Sequence, residues 1–130
     1  MKQDLFNNLS PDVQLDPIAV TATTDITGTD LQGYESACFL IILGLWVDGT
    51  HTFTCQESSD NATWTTVAAG DLDGTAPTVS GVTNDNTSTK IGYRGSARYI
   101  RILNTVTASP STGLVMGSMI LRGHPNSGPV

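Results

Sequence analysis

The residues that could carry out chemistry are few in this chain, and they are scattered along it. The two histidines, His51 and His124, stand far apart, and the sequence has no closely spaced pairs of Cys and His such as a zinc site requires. The segment Asp71–Gly74 has the sequence DLDG, like the start of a calcium loop, but it lacks the third acidic position and the distal glutamate. We therefore expect both histidines at the surface or in a turn, and we interpret DLDG as a turn.

Catalytic combinations of residues are equally hard to find. The chain has no GxSxG motif, and Cys55 is expected to face the core beside Phe53. Glu35 and Glu57 could in principle supply a pair of catalytic carboxylates, but nothing in the sequence brings them together. We expect no catalytic residues, no cofactor and no bound metal, and hence a protein that is not an enzyme.

The composition indicates which elements must position these residues. The 130 residues include 19 threonines and 13 glycines, and only 14% are charged. This composition favours strands joined by tight turns, and no segment has the 3.6-residue period of an amphipathic helix. Turn signals recur every 8 to 12 residues, which is typical of sandwiches and jelly rolls. We expect an all-β, antiparallel β-sandwich or jelly-roll-like fold of seven or eight strands.

The predicted core centres on one long apolar strand. Tyr34–Trp46 is apolar on both faces, so we expect it to be the central strand. The Asp-Gly dipeptide in Val47–Thr50 predicts a hairpin turn that leads into an alternating partner strand. Cys38 and Cys55 lie in these strands and are expected as free thiols, because a reducing cytoplasm keeps thiols reduced. The expected core residues are Phe39, Ile41, Leu43, Phe53, Ile100 and Ile102.

The two ends of the chain are expected to lie outside this β-domain. Pro11 and Pro17 stand six positions apart, and we expect residues 1–16 to form an N-terminal arm. Residues 17–123 are expected to form the domain, with a first strand that starts at Ile18, and 124–130 a C-terminal tail. Apolar residues in the arm suggest that it lies on a neighbouring protein. The expected partner-binding residues of the arm are Leu5, Phe6 and Leu9.

A second predicted contact surface comes from the strand with sequence ARYIRILNTV. Its even positions, including Ile100 and Ile102, should face the core, with Arg98 at the entrance. Its odd positions place Tyr99, Arg101 and Leu103 together on the outer face, a combination that is typical of interface anchors. The alternative is that the arginine pairs with an aspartate on the adjacent strand.

The charge is distributed unevenly along the chain. The net charge is −6, with −11 in residues 1–89 and +5 in residues 90–130. Basic strands beside acidic strands in one sheet would explain this, and so would an acidic side and a basic side that dock on a charged assembly. Nucleic acid is not an expected partner, because no Lys/Arg cluster with interleaved aromatic residues occurs.

Hydropathy gives no reason to expect a membrane partner. The longest apolar run, Ala37–Val47, has eleven residues, which is too short to span a bilayer. The N-terminus lacks the apolar stretch of a secretory signal. We expect synthesis in a reducing cytoplasm.

Four segments of the chain are distinctive: LQGYESA, DGTHTF.CQES.D, YRG..RYIR and RGHP. With them the chain resembles a family of small virion proteins of tailed bacteriophages, encoded among the head genes near the major capsid protein. The resemblance implies a decoration or cement protein that binds the capsid exterior and stabilises the head. Its partners would be the major capsid protein and sister copies in a homo-oligomer. It would be located on the virion head surface after synthesis in the host bacterial cytoplasm.

Two alternatives stay open. One is another virion role, at the head–tail connector, the tail or a fibre attachment point. The other is a carbohydrate-binding β-sandwich module, because SSDNATW and ARYIRI resemble parts of the discoidin-like jelly rolls that bind sugars.

Overall fold

The computed structural model describes residues 4–24 and 26–126. The secondary structure of this part of the chain consists of β-strands and three short 3₁₀ turns, without an α-helix. The all-β prediction is confirmed, although ten strands are present instead of seven or eight. Four of the ten have only two residues, too few for a period-2 pattern to reveal. The strands are β1 (Leu9–Val20), β2 (Thr29–Asp30), β3 (Tyr34–Trp46), β4 (Thr50–Ser58), β5 (Thr65–Thr66), β6 (Leu72–Asp73), β7 (Thr78–Val79), β8 (Thr87–Tyr93), β9 (Tyr99–Thr107) and β10 (Leu114–Pro125).

The strands form two antiparallel sheets. Sheet A has the order β1-β10-β3-β8-β6, and sheet B has the order β2-β9-β4-β5, with β7 also paired to β4. A short 3₁₀ turn, Phe6–Asn8, precedes β1, and two more, Ala69–Asp71 and Val82–Asn84, lie in connections between strands. Both sheets contribute side chains to one buried apolar cluster.

The six predicted core residues are all buried, so this prediction is confirmed. Each side chain is at most 4% exposed. They come from both sheets, because β3 belongs to sheet A, whereas β4 and β9 belong to sheet B. Burying an aliphatic or aromatic side chain of this size contributes about 1.5–3 kcal/mol, so the set is a main source of stability.

The strand β3 has the predicted bounds and lies in the middle of its sheet, but only one of its faces is fully buried. Phe39 and Ile41 are inaccessible to solvent, whereas Ile42 on the opposite face is 48% exposed. Its apolar outer face therefore points to solvent in this chain.

The predicted hairpin between β3 and β4 is wrong, because the two strands belong to different sheets. The Asp48 carboxylate accepts hydrogen bonds from the backbone N–H groups of Ser111, Thr112 and Gly113. These bonds hold the connection against a distant loop. The chain therefore crosses from sheet A to sheet B where a local Asp-Gly signal predicts a reversal.

The predicted N-terminal arm is wrong for residues 9–16. Leu9–Val20 is an edge strand of sheet A, paired with β10 from Leu9–Gly123 to Val20–Leu114. Pro11 and Pro17 are compatible with this position because an edge strand can lack N–H groups on its open side. Ile18 therefore lies near the end of the first strand and does not begin it. Residues 1–3 of the predicted arm lie outside the described residues.

The predicted C-terminal tail also begins too early, because β10 continues through Pro125. His124 lies in this strand, is exposed, and has Nδ1 2.8 Å from the Ser36 hydroxyl oxygen. The last four residues of the tail, 127–130, lie outside the described part of the chain.

His51 is fully buried in β4, so the expectation that it lies at the surface or in a turn is wrong. Its Nε2 lies 3.2 Å from the Asp48 carbonyl oxygen. Both cysteines are free, with Cys55 buried in sheet B and Cys38 half-buried on the outer face of sheet A. Burial raises the pKa of the Cys55 thiol to about 12.

Candidate interaction surfaces

The residues considered for chemistry do not converge on one site. Within residues 4–24 and 26–126, no group of three or more His, Cys, Asp or Glu side chains is arranged to hold a metal ion. Asp73 of the DLDG turn forms an exposed ion pair with Arg94. Glu57 accepts a hydrogen bond from the Tyr93 hydroxyl at 2.5 Å, which ties it to the sheet of β8. In the same part of the chain, no helix has the length and hydropathy needed to cross a membrane.

The N-terminal patch is the first surface that could bind a partner. It consists of Leu5, Phe6, Leu9 and Pro11, which line an open depression of about 380 Å³. Phe6 is 85% exposed and Leu5 is 64% exposed. The structure therefore brings together Leu5, Phe6 and Leu9, the three residues predicted from the arm.

The turn that carries Phe6 is held by its own hydrogen bonds. Asp4 accepts a bond from the Asn7 backbone N–H at 3.3 Å and another from the Asn7 side-chain amide at 2.7 Å. The Asn8 side chain donates to the Asp4 carbonyl at 3.0 Å. The hydrogen bond from the Asn7 side chain lowers the pKa of the Asp4 carboxyl. The hydrogen bonds described for this turn are therefore made within its own chain.

The second surface is the outer face of sheet A, and sequence reasoning missed it. Strand pairing places nine apolar side chains together on this face, opposite the buried set. We call them the apolar face: Leu9, Pro11, Val13, Cys38, Leu40, Ile42, Val115, Met119 and Leu121. The sequence CFLIILGLW in β3 indicates this surface, because it places apolar residues on both faces of the strand. We interpreted the pattern as a strand buried on both faces, whereas only one face is buried.

The third surface is the outer face of sheet B, where the parity prediction for β9 is confirmed. Ile100 and Ile102 are buried, whereas Tyr99, Arg101 and Leu103 alternate with them and are half-buried. They lie on a different sheet from the N-terminal patch. The six predicted partner-binding residues therefore form two separate groups.

Arg101 makes several contacts within its own chain. Its Nε donates to Gln56 Oε1 at 2.7 Å, and its Nη1 donates to the Ile26 carbonyl at 3.0 Å. The guanidinium also lies over the Trp64 ring, 4.4 Å from the ring centroid. These contacts support a role of Arg101 in the fold.

The loop before Trp64 is ordered by Asp60. Its carboxylate accepts bonds from the backbone N–H groups of Thr63 and Ala62, both at 2.9 Å, and these bonds lower the pKa of Asp60 to about 2. Asn61 Oδ1 accepts a bond from the Gly28 N–H at 3.1 Å. This network positions the Trp64 indole over Arg101.

Arg98 does not stand at the entrance to the core, and that prediction is wrong. It precedes β9, is exposed, and forms two hydrogen bonds with Asp30 at 3.0 and 2.9 Å. This pair and the pair between Arg94 and Asp73 each join an aspartate of residues 1–89 to an arginine of residues 90–130. Part of the charge asymmetry is therefore compensated within the chain.

No protein-family model matches the chain, and comparisons with curated proteins and with solved structures find no similar protein.

Proposed function

We propose that the protein is a structural protein of a tailed-bacteriophage head, a decoration or cement protein that binds the outside of the capsid shell and stabilises it. In this proposal the two sheets are the layers of a β-sandwich, and the N-terminal patch contacts the major capsid protein. The protein is made in the host cytoplasm and assembles on the head surface. Support for the setting comes from the resemblance of the LQGYESA and RGHP segments to small virion proteins.

The observation that carries the proposal is an ordered turn that exposes an aromatic side chain. Phe6 is 85% exposed although Asp4 fixes the turn around it. An exposed apolar group on a rigid turn loses little conformational entropy when it enters a pocket, so more of the burial energy is available for binding. Burying a side chain of this size contributes about 1.5–3 kcal/mol.

The charge around the patch indicates the character of the partner. Asp4 is exposed beside Leu5 and Leu9, and Asp16 is exposed further along β1. A complementary surface has an apolar pocket with Lys or Arg at its edge. The major capsid protein is proposed to present such a pocket on the outside of the shell.

The test measures occupancy on capsids. Heads of the phage that encodes the chain are prepared without this protein and are mixed with the purified wild type or with Phe6→Ala. We expect the variant to bind about thirtyfold more weakly, as truncation of a central anchor costs ~2 kcal/mol. The melting temperature should not change, because the ring is exposed in the free protein.

The matched control is Val82→Ala, which truncates another exposed apolar side chain, 66% accessible, in a different 3₁₀ turn. It should bind like the wild type. Equal occupancy of Phe6→Ala and the wild type would contradict the N-terminal attachment. Density at the connector, the tail or a fibre in virion images would instead favour the other virion role. Glycan binding that is unaffected by Phe6→Ala would favour the carbohydrate-binding module.

A further inference from the structure

Two buried polar side chains of sheet B point into the core, one from β4 and one from β9. His51 is 0% exposed and Asn104 is 3% exposed. Within residues 4–24 and 26–126, His51 Nδ1 and Asn104 Oδ1 have no hydrogen-bond partner, and they do not bond to each other. A buried polar atom without a partner is costly, so nearly all such atoms in folded proteins bind a protein group or an ordered water. Each of these two atoms therefore indicates a bound molecule.

The strand register places the two side chains beside each other. His51 pairs with Val106 and Phe53 pairs with Asn104, so His51 and Asn104 occupy diagonal positions of one antiparallel strand pair. Diagonal positions have Cα atoms about 7–8 Å apart, within reach of an aromatic side chain. One small molecule between the two side chains can therefore contact both.

The existing partners of the two side chains show that both unpaired atoms are acceptors. The Asp48 carbonyl oxygen can only accept, so His51 Nε2, 3.2 Å away, carries the hydrogen of the ring. A second hydrogen, on Nδ1, would place a full positive charge at a position that is 0% exposed, which is strongly unfavourable. Asn104 Nδ2 donates to the Met116 sulfur at 3.5 Å, which leaves Oδ1 as the acceptor. Two acceptors need a bridging molecule that donates two hydrogens.

We propose that His51 and Asn104 hold one internal water molecule, which donates one hydrogen to His51 Nδ1 and the other to Asn104 Oδ1. Water is the smallest molecule with two such hydrogens, and two bonds of about 2.8 Å each span about 4.5–5 Å between the acceptors. A metal ion does not fit, because one imidazole nitrogen and one amide oxygen are fewer ligands than a metal site requires. The inference concerns the interior of the domain and does not depend on attachment to capsids.

The neighbours of the site limit it to a single water. Val79 and Val106 pair with His51, and Phe53 pairs with Asn104. None of these three side chains has a polar atom that could bind a second water. A buried water usually makes two to four hydrogen bonds, and the two acceptors supply the minimum.

The water completes a polar chain between two distant parts of the fold. The Asp48 carboxylate accepts bonds from the N–H groups at positions 111 and 113, and the Asp48 carbonyl lies beside His51. The water continues this chain from His51 to Asn104 on β9, which lies between β2 and β4 in sheet B. The connection that crosses from sheet A to sheet B is thereby tied to the interior of sheet B.

The purified wild-type chain provides the direct test. A crystal structure should show a water within about 2.7–3.2 Å of both His51 Nδ1 and Asn104 Oδ1. Nitrogen NMR of the histidine rings should show the hydrogen of His51 on Nε2, with Nδ1 as an acceptor that is hydrogen-bonded. A hydrogen on Nδ1, or a direct contact of the ring with the Asn104 amide in place of the water, would overturn the proposal.

A pair of variants tests which atoms hold the water. Asn104→Leu removes one acceptor at similar volume, so the water should be lost and the His51 Nδ1 resonance should move toward that of a ring nitrogen without a donor. The matched control is Met116→Leu, which changes the other neighbour of the Asn104 amide and leaves both acceptors in place. It should keep the water and the His51 resonance. A water that persists in Asn104→Leu, or that is lost equally in Met116→Leu, would contradict the bridge between two acceptors.

His124 serves as an internal reference for these spectra. It is exposed, and its Nδ1 lies 2.8 Å from the Ser36 hydroxyl oxygen, so its resonances should be the same in all three proteins. A change in both histidines would indicate a general rearrangement and would contradict a local effect on the site. All of these measurements use the protein alone, so their failure is distinct from a failure to bind capsids.

Discussion

Replacing Arg101 with alanine should destabilise the fold, and the structure allows the size of the effect to be worked out. Arg101 connects three parts of the chain: the strand β4 through Gln56, the segment after β1 through the Ile26 carbonyl, and the loop of Trp64. Removing the Arg101 side chain takes a hydrogen-bond donor away from the Ile26 carbonyl oxygen and another away from the Gln56 side-chain oxygen. It also removes the cation that lies over the Trp64 indole.

The expected magnitude follows from these contacts. Hydrogen bonds from a charged donor contribute about 1.5–3 kcal/mol each, and we use about 0.7 kcal/mol each because Arg101 is half-buried. The contact with Trp64 adds about 0.5–1 kcal/mol at such a site. The sum is about 2 kcal/mol. For 130 residues, an unfolding entropy of about 0.27 kcal/mol/K converts this to a fall of about 7 °C in Tm.

The assay is thermal unfolding of the free protein, followed by circular dichroism. Arg101→Lys keeps the charge but not the planar group, and it should recover only part of the loss. Arg98→Ala is the matched control, and its Tm should fall much less because the pair with Asp30 is exposed. Combining Arg101→Ala with Trp64→Ala should lower Tm by less than the sum of the two single changes.

One result would refute this reasoning: an unchanged Tm for Arg101→Ala together with a loss of capsid binding. That outcome would mean that Arg101 serves a partner, as its position on the outer face of β9 first suggested. A fall in Tm without a change in binding would mean that it serves the fold.

Two further predictions concern the loop that holds the connection between the sheets. Asp48→Asn should lower Tm at neutral pH, because hydrogen bonds from the Gly113 and Ser111 N–H groups stabilise the ionised carboxylate and lower the native pKa of Asp48. The difference in Tm from the wild type should disappear as the pH falls below about 3.8 and the carboxylate of the wild type becomes protonated. A difference that persists at lower pH would contradict this account. Gly113→Ala should lower Tm far more than Gly33→Ala. Both glycines have positive φ, but a Cβ at position 113 would overlap the Val20 carbonyl oxygen, whereas nothing lies within 4 Å of a Cβ at position 33. Equal changes in Tm would show that the backbone conformation alone, and not the contact with Val20, matters.

Part of this structure follows from short-range patterns in the sequence. The bounds of β3 and the burial of Phe39, Ile41, Ile100 and Ile102 were predictable because side chains alternate with period 2 along a strand. The parity of β9, which puts Tyr99 and Arg101 outside, follows from the same rule. To predict these features it is enough to know the residue types along one strand, and the partner strand need not be known.

Other features depended on contacts between distant residues. The pair Asp48-Gly49 has a local preference for a hairpin, but its carboxylate binds N–H groups at positions 111 to 113, and the chain changes sheets instead. Leu9–Val20 became a strand because β10 offers it an edge, and its two prolines gave the opposite local signal.

The candidate surfaces divide in the same way. The sequence by itself determined that Leu5 and Phe6 are apolar and lie near the N-terminus, that β3 is apolar on two faces, and that Arg101 faces outward. Only the tertiary structure decided that Phe6 is exposed on an ordered turn, that the second face of β3 is open to solvent, and that Arg101 lies over Trp64. The physical reason is that periodicity specifies which way a side chain points, whereas exposure and hydrogen bonding depend on what the rest of the chain places there.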